Sequence, residues 1–224
     1  MKTRAVRLYG ANQLQLDEFE LPALKDDEIL VKVISDSICM STYKATTLGT
    51  DHKRVPNDAA ENPVIIGHEF SGIIKEVGKK WQDQFSPGDR FAIQPALNYK
   101  GSMDSPGYSY RYVGGDMTYA IIPPEVMELG CLIKYEGDSF FEASLAEPMS
   151  CVIGAFHATY HTIPNTYTHV MDIKERGSVA ILGGAGPMGL AAIEYAIHRD
   201  RKPSLLVVSD VSNERLKRAE TVIS

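Results

Sequence analysis

Val179-Ala180-Ile181-Leu182-Gly183-Gly184-Ala185-Gly186-Pro187-Met188-Gly189 is the stretch that decides the fold. Four apolar residues predict a buried strand, and the apolar run through Ile197 predicts a helix, with a G-x-G-x-x-G turn between them. In such a turn Gly184 permits the tight bend, Gly186 lets the backbone approach a pyrophosphate, and Gly189 allows close helix–strand packing. The helix that opens at Pro187-Met188 would direct its N-terminal amides at the phosphates. A second buried strand, Leu205-Leu206-Val207-Val208, ends at Ser209-Asp210 and completes a βαβ unit. Asp210 follows Gly189 by 21 residues, close to the roughly 20 expected of an acid that holds both adenosine-ribose hydroxyls. Its charge would repel a 2′-phosphate, so NAD(H) is the preferred cofactor, while Arg215 keeps NADP(H) possible. The plain alternative is a glycine turn beside a solvated acid. A helix beginning at Ser212-Asn213-Glu214 then runs to the last residue, and the strands that would complete a doubly wound sheet are not in the sequence. The expectation is therefore the first part of a Rossmann domain, in a chain that looks cut short.

Upstream the texture changes. From Met1 to about Pro124 short apolar or alternating runs, such as Ile29-Leu30-Val31-Lys32-Val33 and Gly72-Ile73-Ile74-Lys75-Glu76-Val77, alternate with Gly, Pro and Asp turns, which predicts a mostly β region. Helical spacing over Phe141–Tyr160 precedes a polar loop, placing the domain junction there: residues 1–160, then 161–224. Ser178–Ile193 is long and uncharged, but its bunched Gly and Pro predict strand, turn and helix rather than a membrane span.

Composition narrows the functions. With 44% hydrophobic and 23% charged residues the 224-residue chain has an ordinary globular makeup, and a net charge of −6 with interspersed signs gives no footprint for nucleic acid. Three cysteines make no disulfide framework, and the N-terminus lacks a signal-peptide core, so the expected setting is cytoplasmic and away from membranes.

Cys39 is read in a small polar loop, Ser37 to Thr42, and Gly67-His68-Glu69 follows. Thiolate and imidazole suit zinc, and a catalytic site needs three protein ligands and an open position; Glu69 and Glu147 are candidates for the third. A buried cysteine is most often a small hydrophobe and a lone histidine a structural one, so spacing alone leaves a metal site open.

Cys39-Met40-Ser41, Gly67-His68-Glu69, Glu147-Pro148 and Gly184 to Gly189, in this order, resemble the zinc-dependent medium-chain alcohol and polyol dehydrogenases, sorbitol dehydrogenase-like members above all. The resemblance implies an α/β protein: a GroES-like, mostly β catalytic domain followed by the truncated Rossmann domain. It implies an enzyme with one catalytic zinc on Cys39 and His68, with Glu69 and Glu147 dividing direct and water-mediated contact, and Ser41 passing the substrate proton outward. Homodimers or homotetramers are the implied assembly.

Three departures qualify this. A relay position that is often His is Lys44, which reroutes the relay or ends it. Thr42 stands where Asp is frequent, and is assigned no role. The segment where the family carries a structural-zinc lobe, about Ile93 to Tyr119, has no cysteine, so a structural zinc is not expected. The stretch with Tyr99, Tyr108, Tyr110, Arg111 and Tyr112 that replaces it reads as a packed surface loop, with a wall of the substrate cleft or a subunit contact as the alternatives.

Details at Gly49-Thr50-Asp51-His52-Lys53, Gly78 to Trp81, Pro106 to Ser109 and Glu147 to Phe156 are similar to the sugar-phosphate branch of the family. That implies a polyol or ketose phosphate substrate, with interconversion of L-sorbose 1-phosphate and D-glucitol 6-phosphate, and a cationic seat drawn from Lys53, Arg54 and Arg111. Rival readings are a metal-free quinone or enone reductase of the same superfamily, a non-catalytic dinucleotide-binding module, and an inactive fragment.

Overall fold

The computed structural model describes residues 1–223 and divides them into two compact units, the first ending at Glu147 and the second beginning at Pro148. The first strand, β1 (Lys2–Gly10), turns back through Asn12, whose φ of 58° is the left-handed conformation Asn tolerates, into β2 (Gln13–Glu20). After β3 (Ile29–Asp36) comes a helix, α1 (Met40–Leu48), and then β4 (Val64–Ile65), β5 (Phe70–Val77), β6 (Arg90–Ile93), β7 (Tyr119–Ile122), α2 (Pro124–Glu128), β8 (Leu132–Lys134) and α3 (Phe140–Ser144).

Five of these strands form an antiparallel sheet in the order β7-β3-β5-β6-β8, and a smaller sheet is ordered β2-β1-β4. In β3, between β7 and β5, the run Ile29-Leu30-Val31 is buried, and alternation sets in at Lys32, which is exposed between Val31 and Val33. Phe70 of β5 meets Phe91 of β6 edge to face at 6.1 Å, in a core shared with Ile74, Ile122 and Val126. A second cluster, of Leu8, Ala45, Val55, Ala59, Val64, Ile66 and Tyr108, roots α1 and one tyrosine of the 99–112 stretch beside the small sheet.

The polar loop expected at Ser37–Thr42 is corrected here. Cys39 is the N-cap of α1, in extended conformation, with its Sγ accepting from the Ser41 amide at 3.4 Å. The hydroxyls that look loop-forming in sequence turn back on the helix itself: Thr46 donates to the Thr42 carbonyl and Thr47 to that of Lys44.

The helix expected over 141–160 is two: α3 and, after Leu145, α4 (Ala146–Ala158). The compact units divide near the start of α4 rather than at 160 because Val152 and Phe156 pack with Ile173 and Ala196 of the second unit. That unit continues with a hairpin of β9 (Tyr160–Thr162) and β10 (His169–Met171), then β11 (Ser178–Leu182), α5 (Pro187–His198), β12 (Leu205–Ser209) and α6 (Asn213–Ile223). Strands β11 and β12 pair in parallel, as the βαβ reading requires. No described helix is long and apolar enough to cross a membrane.

Candidate active site

In the N-terminal unit the structure brings together Cys39, His68 and Glu69, whose ligand atoms all lie within 4.8 Å of one another. Cys39 comes from the cap of α1, His68 and Glu69 from the loop between β4 and β5. His68 and Glu69 are buried, and the His68 Nε2 lies 3.8 Å from a Glu69 carboxylate oxygen. Burial pushes the His68 pKa down to about 4, against the pull of the Glu69 carboxylate. The imidazole is therefore neutral, the state in which it can bind a metal. Burial raises the Cys39 thiol, so thiolate formation here calls for a cation close by. A thiol, a neutral imidazole and a carboxylate in this proximity are a donor set that fits zinc.

The imidazole is held at both nitrogens: Thr42 Oγ1 lies 3.1 Å from Nδ1 and the Tyr108 hydroxyl 3.1 Å from Nε2. Thr42, assigned no role from the sequence, thus orients a candidate ligand. The available signal was its place three residues after Cys39, one helical turn on. The surface-loop reading of the 99–112 stretch fails for Tyr108. It is 5% exposed, and its ring packs 4.7 Å from that of His68. Ser105 anchors the same loop, its hydroxyl donating to the Pro95 carbonyl. Arg111, by contrast, is exposed and pairs with Asp58 at 3.6 Å.

Behind the trio, Asp36 ties the loops together. Its Oδ1 accepts from the Glu69 amide at 3.0 Å, while the Ser37 hydroxyl donates to the Glu69 carboxylate. Burial lifts the Asp36 carboxyl to about 8, helped by the Asp116 carboxylate and opposed by the Glu69 amide. Gly67 and Gly115 flank this carboxyl so closely that a Cβ would fall 2.1 Å and 2.2 Å from its atoms, and Gly67 has φ of 87°. Neither position has room for a side chain.

A cavity of about 260 Å³ reaches the trio at His68 and is lined besides by Ser41, Lys44, His52, Lys53, Arg54, Tyr108 and Glu147 among others. Glu147 shares this cavity but is outside the close group of three. Ser41 and Lys44 project from successive turns of α1 into it.

In the C-terminal unit each expected glycine meets a physical demand. A Cβ on Gly184 would strike Ile181 and Val208 at 2.7 and 2.8 Å, and one on Gly189 would sit 2.2 Å from the Gly184 carbonyl oxygen. Gly186, the N-cap of α5, has open space where a Cβ would be, which leaves its backbone approachable. Pro187 occupies the first turn, where its missing N–H costs nothing, and Met188 is half exposed beside it. Asp210 accepts from the Ala185 amide at 3.2 Å and the Ser212 amide at 3.0 Å, so the acid is fastened to the glycine loop. The Ser212 amide first, with Ala185 and Arg215 adding, holds its carboxyl below the usual range. An apolar crevice of about 310 Å³ runs along the turn, lined by Val152, Phe156, Ile181, Met188 and Ala192.

Residues 25–135 match the alcohol dehydrogenase GroES-like domain. It is 54% identical over 217 residues to L-sorbose 1-phosphate reductase of Klebsiella pneumoniae, an alignment covering 97% of this chain and 53% of that protein. Mannitol-1-phosphate 5-dehydrogenase of Aliivibrio fischeri is 52% identical over 222 residues, covering 99% of this chain and 52% of the other. Among solved structures, 2R,3R-butanediol dehydrogenase from Bacillus subtilis superposes with a TM-score of 0.73 at 24% identity, over 98% of this chain and 61% of that one, a likeness of fold. The chain spans about half the length of the curated relatives it matches.

Proposed function

We propose that this protein is a zinc-dependent, nicotinamide-linked oxidoreductase that interconverts a polyol and a ketose, with L-sorbose 1-phosphate and D-glucitol 6-phosphate as the leading pair. The observation that carries the reading is the close group of Cys39, His68 and Glu69, whose His68 lines a polar cavity. Identity to a sugar-phosphate reductase over nearly the whole chain supports the substrate class.

Cys39, His68 and Glu69 would hold the zinc, with Glu147 as the second carboxylate at the same cavity. Zinc bound there supplies a Lewis acid for a carbonyl or alcohol oxygen. Gly184, Gly186 and Gly189 would cradle NAD(H) and Asp210 would hold its ribose, and the bound cofactor would supply hydride-transfer chemistry; Arg215 leaves NADP(H) as the weaker alternative. The remaining work belongs to the chain itself. Thr42 fixes the His68 ring, Ser37 and Asp36 fix Glu69, and Ser41, in the cavity wall, would pass the substrate's proton outward.

Metal analysis of the intact protein together with NADH and NADPH oxidation on L-sorbose 1-phosphate tests the reading. One zinc per chain and an NADH-linked rate are expected. Turnover without stoichiometric zinc would instead favour the metal-free reductases of the superfamily.

A further inference from the structure

Tyr108 divides the cavity. His68 packs against its ring at 4.7 Å, and His52 stacks on it at 5.6 Å with the planes 9° apart. The Arg54 guanidinium lies 5.6 Å from the centroid of the same ring. The turn that carries His52, Lys53 and Arg54 is fixed in several places. Its Val55 amide donates to the His52 carbonyl at 2.9 Å, the Arg54 amide to the His52 Nδ1 at 3.3 Å, and the Ser109 hydroxyl to the Arg54 carbonyl at 2.6 Å. Lys44 reaches the same cavity from α1.

Three cations thus line one cavity of about 260 Å³, and among the described residues none of them forms a salt bridge. Their field reaches His52, whose pKa burial lowers and Arg54, Lys44 and Lys53 lower further. Holding like charges together without a carboxylate partner costs free energy that a bound dianion recovers. Glu147 is the acid of this cavity, and one carboxylate against three cations leaves the balance positive. Arg111 does not contribute, being engaged with Asp58.

We infer that Lys44, Lys53 and Arg54, gathered about His52, form the seat for the phosphate group of a phosphorylated ketose or polyol. The substrate's identity rests on the oxidoreductase reading above; the phosphate seat itself rests on the cations. Only the ring of Tyr108 lies between His52 and His68, so the seat and the metal-facing end are neighbours. That suits a phosphate on the carbon next to the reacting carbonyl, as in a ketose 1-phosphate. It also gives Lys44 a task other than finishing a proton relay: it binds the dianion, which a strongly hydrated ammonium does as a point charge.

The test uses inorganic phosphate as probe, titrated into the intact protein and followed by calorimetry, alongside kinetics on L-sorbose 1-phosphate and free L-sorbose. Lys53→Gln and Lys44→Gln, both exposed and free of packing duties, should each weaken phosphate binding about tenfold, and Arg54→Gln by more. The preference for phosphorylated over free ketose should fall in parallel, and Arg111→Gln should match the wild type in both assays. Lys44→Gln should act on KM and leave the pH profile of kcat in place, which a relay residue would shift. Phosphate binding by all three variants at wild-type strength overturns the inference, as does an equal loss in Arg111→Gln. Wild-type phosphate binding that the variants lose, without turnover of any ketose phosphate, leaves the seat standing and removes the oxidoreductase reading. Turnover with an unaltered preference in all three variants does the reverse.

Discussion

Tyr108→Phe removes one oxygen from the most crowded contact of the site, and its effect should have opposite signs with and without metal. Without metal the Tyr108 hydroxyl is the partner of His68 Nε2, in a pocket where both residues are about 5% exposed or less. Deleting it leaves a buried imidazole nitrogen unsatisfied, at a cost of about 1.5 kcal/mol. For a unit of this size that lowers the melting temperature by roughly 4 °C. When zinc is bound through Nε2 the nitrogen has a partner whatever stands at 108, and the tyrosine is a competitor that has to be displaced. The variant should therefore bind zinc about tenfold more tightly, since 1.4 kcal/mol corresponds to a factor of ten. Melting in EDTA and in zinc, with affinity measured by competition against a chromophoric chelator, reads both quantities. A variant that is less stable in EDTA yet binds zinc no better than wild type would show that the metal does not take Nε2, and an unchanged melting temperature in EDTA would show that the hydrogen bond contributes nothing.

Other perturbations follow from the same geometry. Thr42→Val should loosen the His68 ring at Nδ1 and weaken zinc by about ten- to a hundredfold in the same chelator assay, a loss typical of outer-shell partners. Gly189→Ala, whose Cβ would lie 2.2 Å from the Gly184 carbonyl oxygen, should abolish NADH binding measured by fluorescence while the zinc content stays at the wild-type level. Asp210→Asn should narrow the preference for NADH over NADPH by about tenfold, read as a ratio of dissociation constants. In the C-terminal unit the buried Arg199 guanidinium pairs with Asp172, whose carboxyl burial would raise but the Ile173 amide and Arg199 hold low. A depressed native pKa adds stability above the unfolded carboxylate range that is lost as pH falls through the native value. Asp172→Asn should flatten that acid limb and cost about 3 kcal/mol at pH 7 by stranding the arginine, both read from denaturant melts across pH.

The legible parts of this chain are those in which a local demand has a local signature. The Gly184–Gly189 turn, its parallel strands and Asp210 could be read because each glycine answers a steric need set by residues next to it in sequence or one crossover away. Cys39, His68 and Glu69 were found by residue type and order, yet their closeness depends on how β4, β5 and α1 pack, which spacing does not express. The contacts of Tyr108 and Thr42 with His68 are illegible for that reason: a tyrosine in a Pro- and Gly-rich loop looks like surface until Leu8, Val55 and Ile66 are seen to bury it. Arg111 erred in the other direction. A cation near a cationic stretch was read as part of the phosphate seat, and Asp58, far off in sequence, takes it instead. The helix after Cys39 was hidden because hydroxyl-rich sequence usually competes with helical hydrogen bonding, whereas here the hydroxyls point back along the helix.

Gly67, Gly107 and Gly115 meet with almost no space between their backbones: a Cβ on Gly107 would lie 2.1 Å from the Gly67 carbonyl oxygen, and the Gly115 amide donates to that same oxygen at 2.6 Å. The loop that carries Gly67 and the long connection between β6 and β7 that carries Gly107 and Gly115 are therefore heritable only as a block. A chimera that exchanges either of them between relatives would import a loop shaped for other neighbours, so productive crossovers in directed recombination should cluster outside residues 36–116. Changes of substrate within that span should arise at the cavity-facing side chains, with the glycines left as they are.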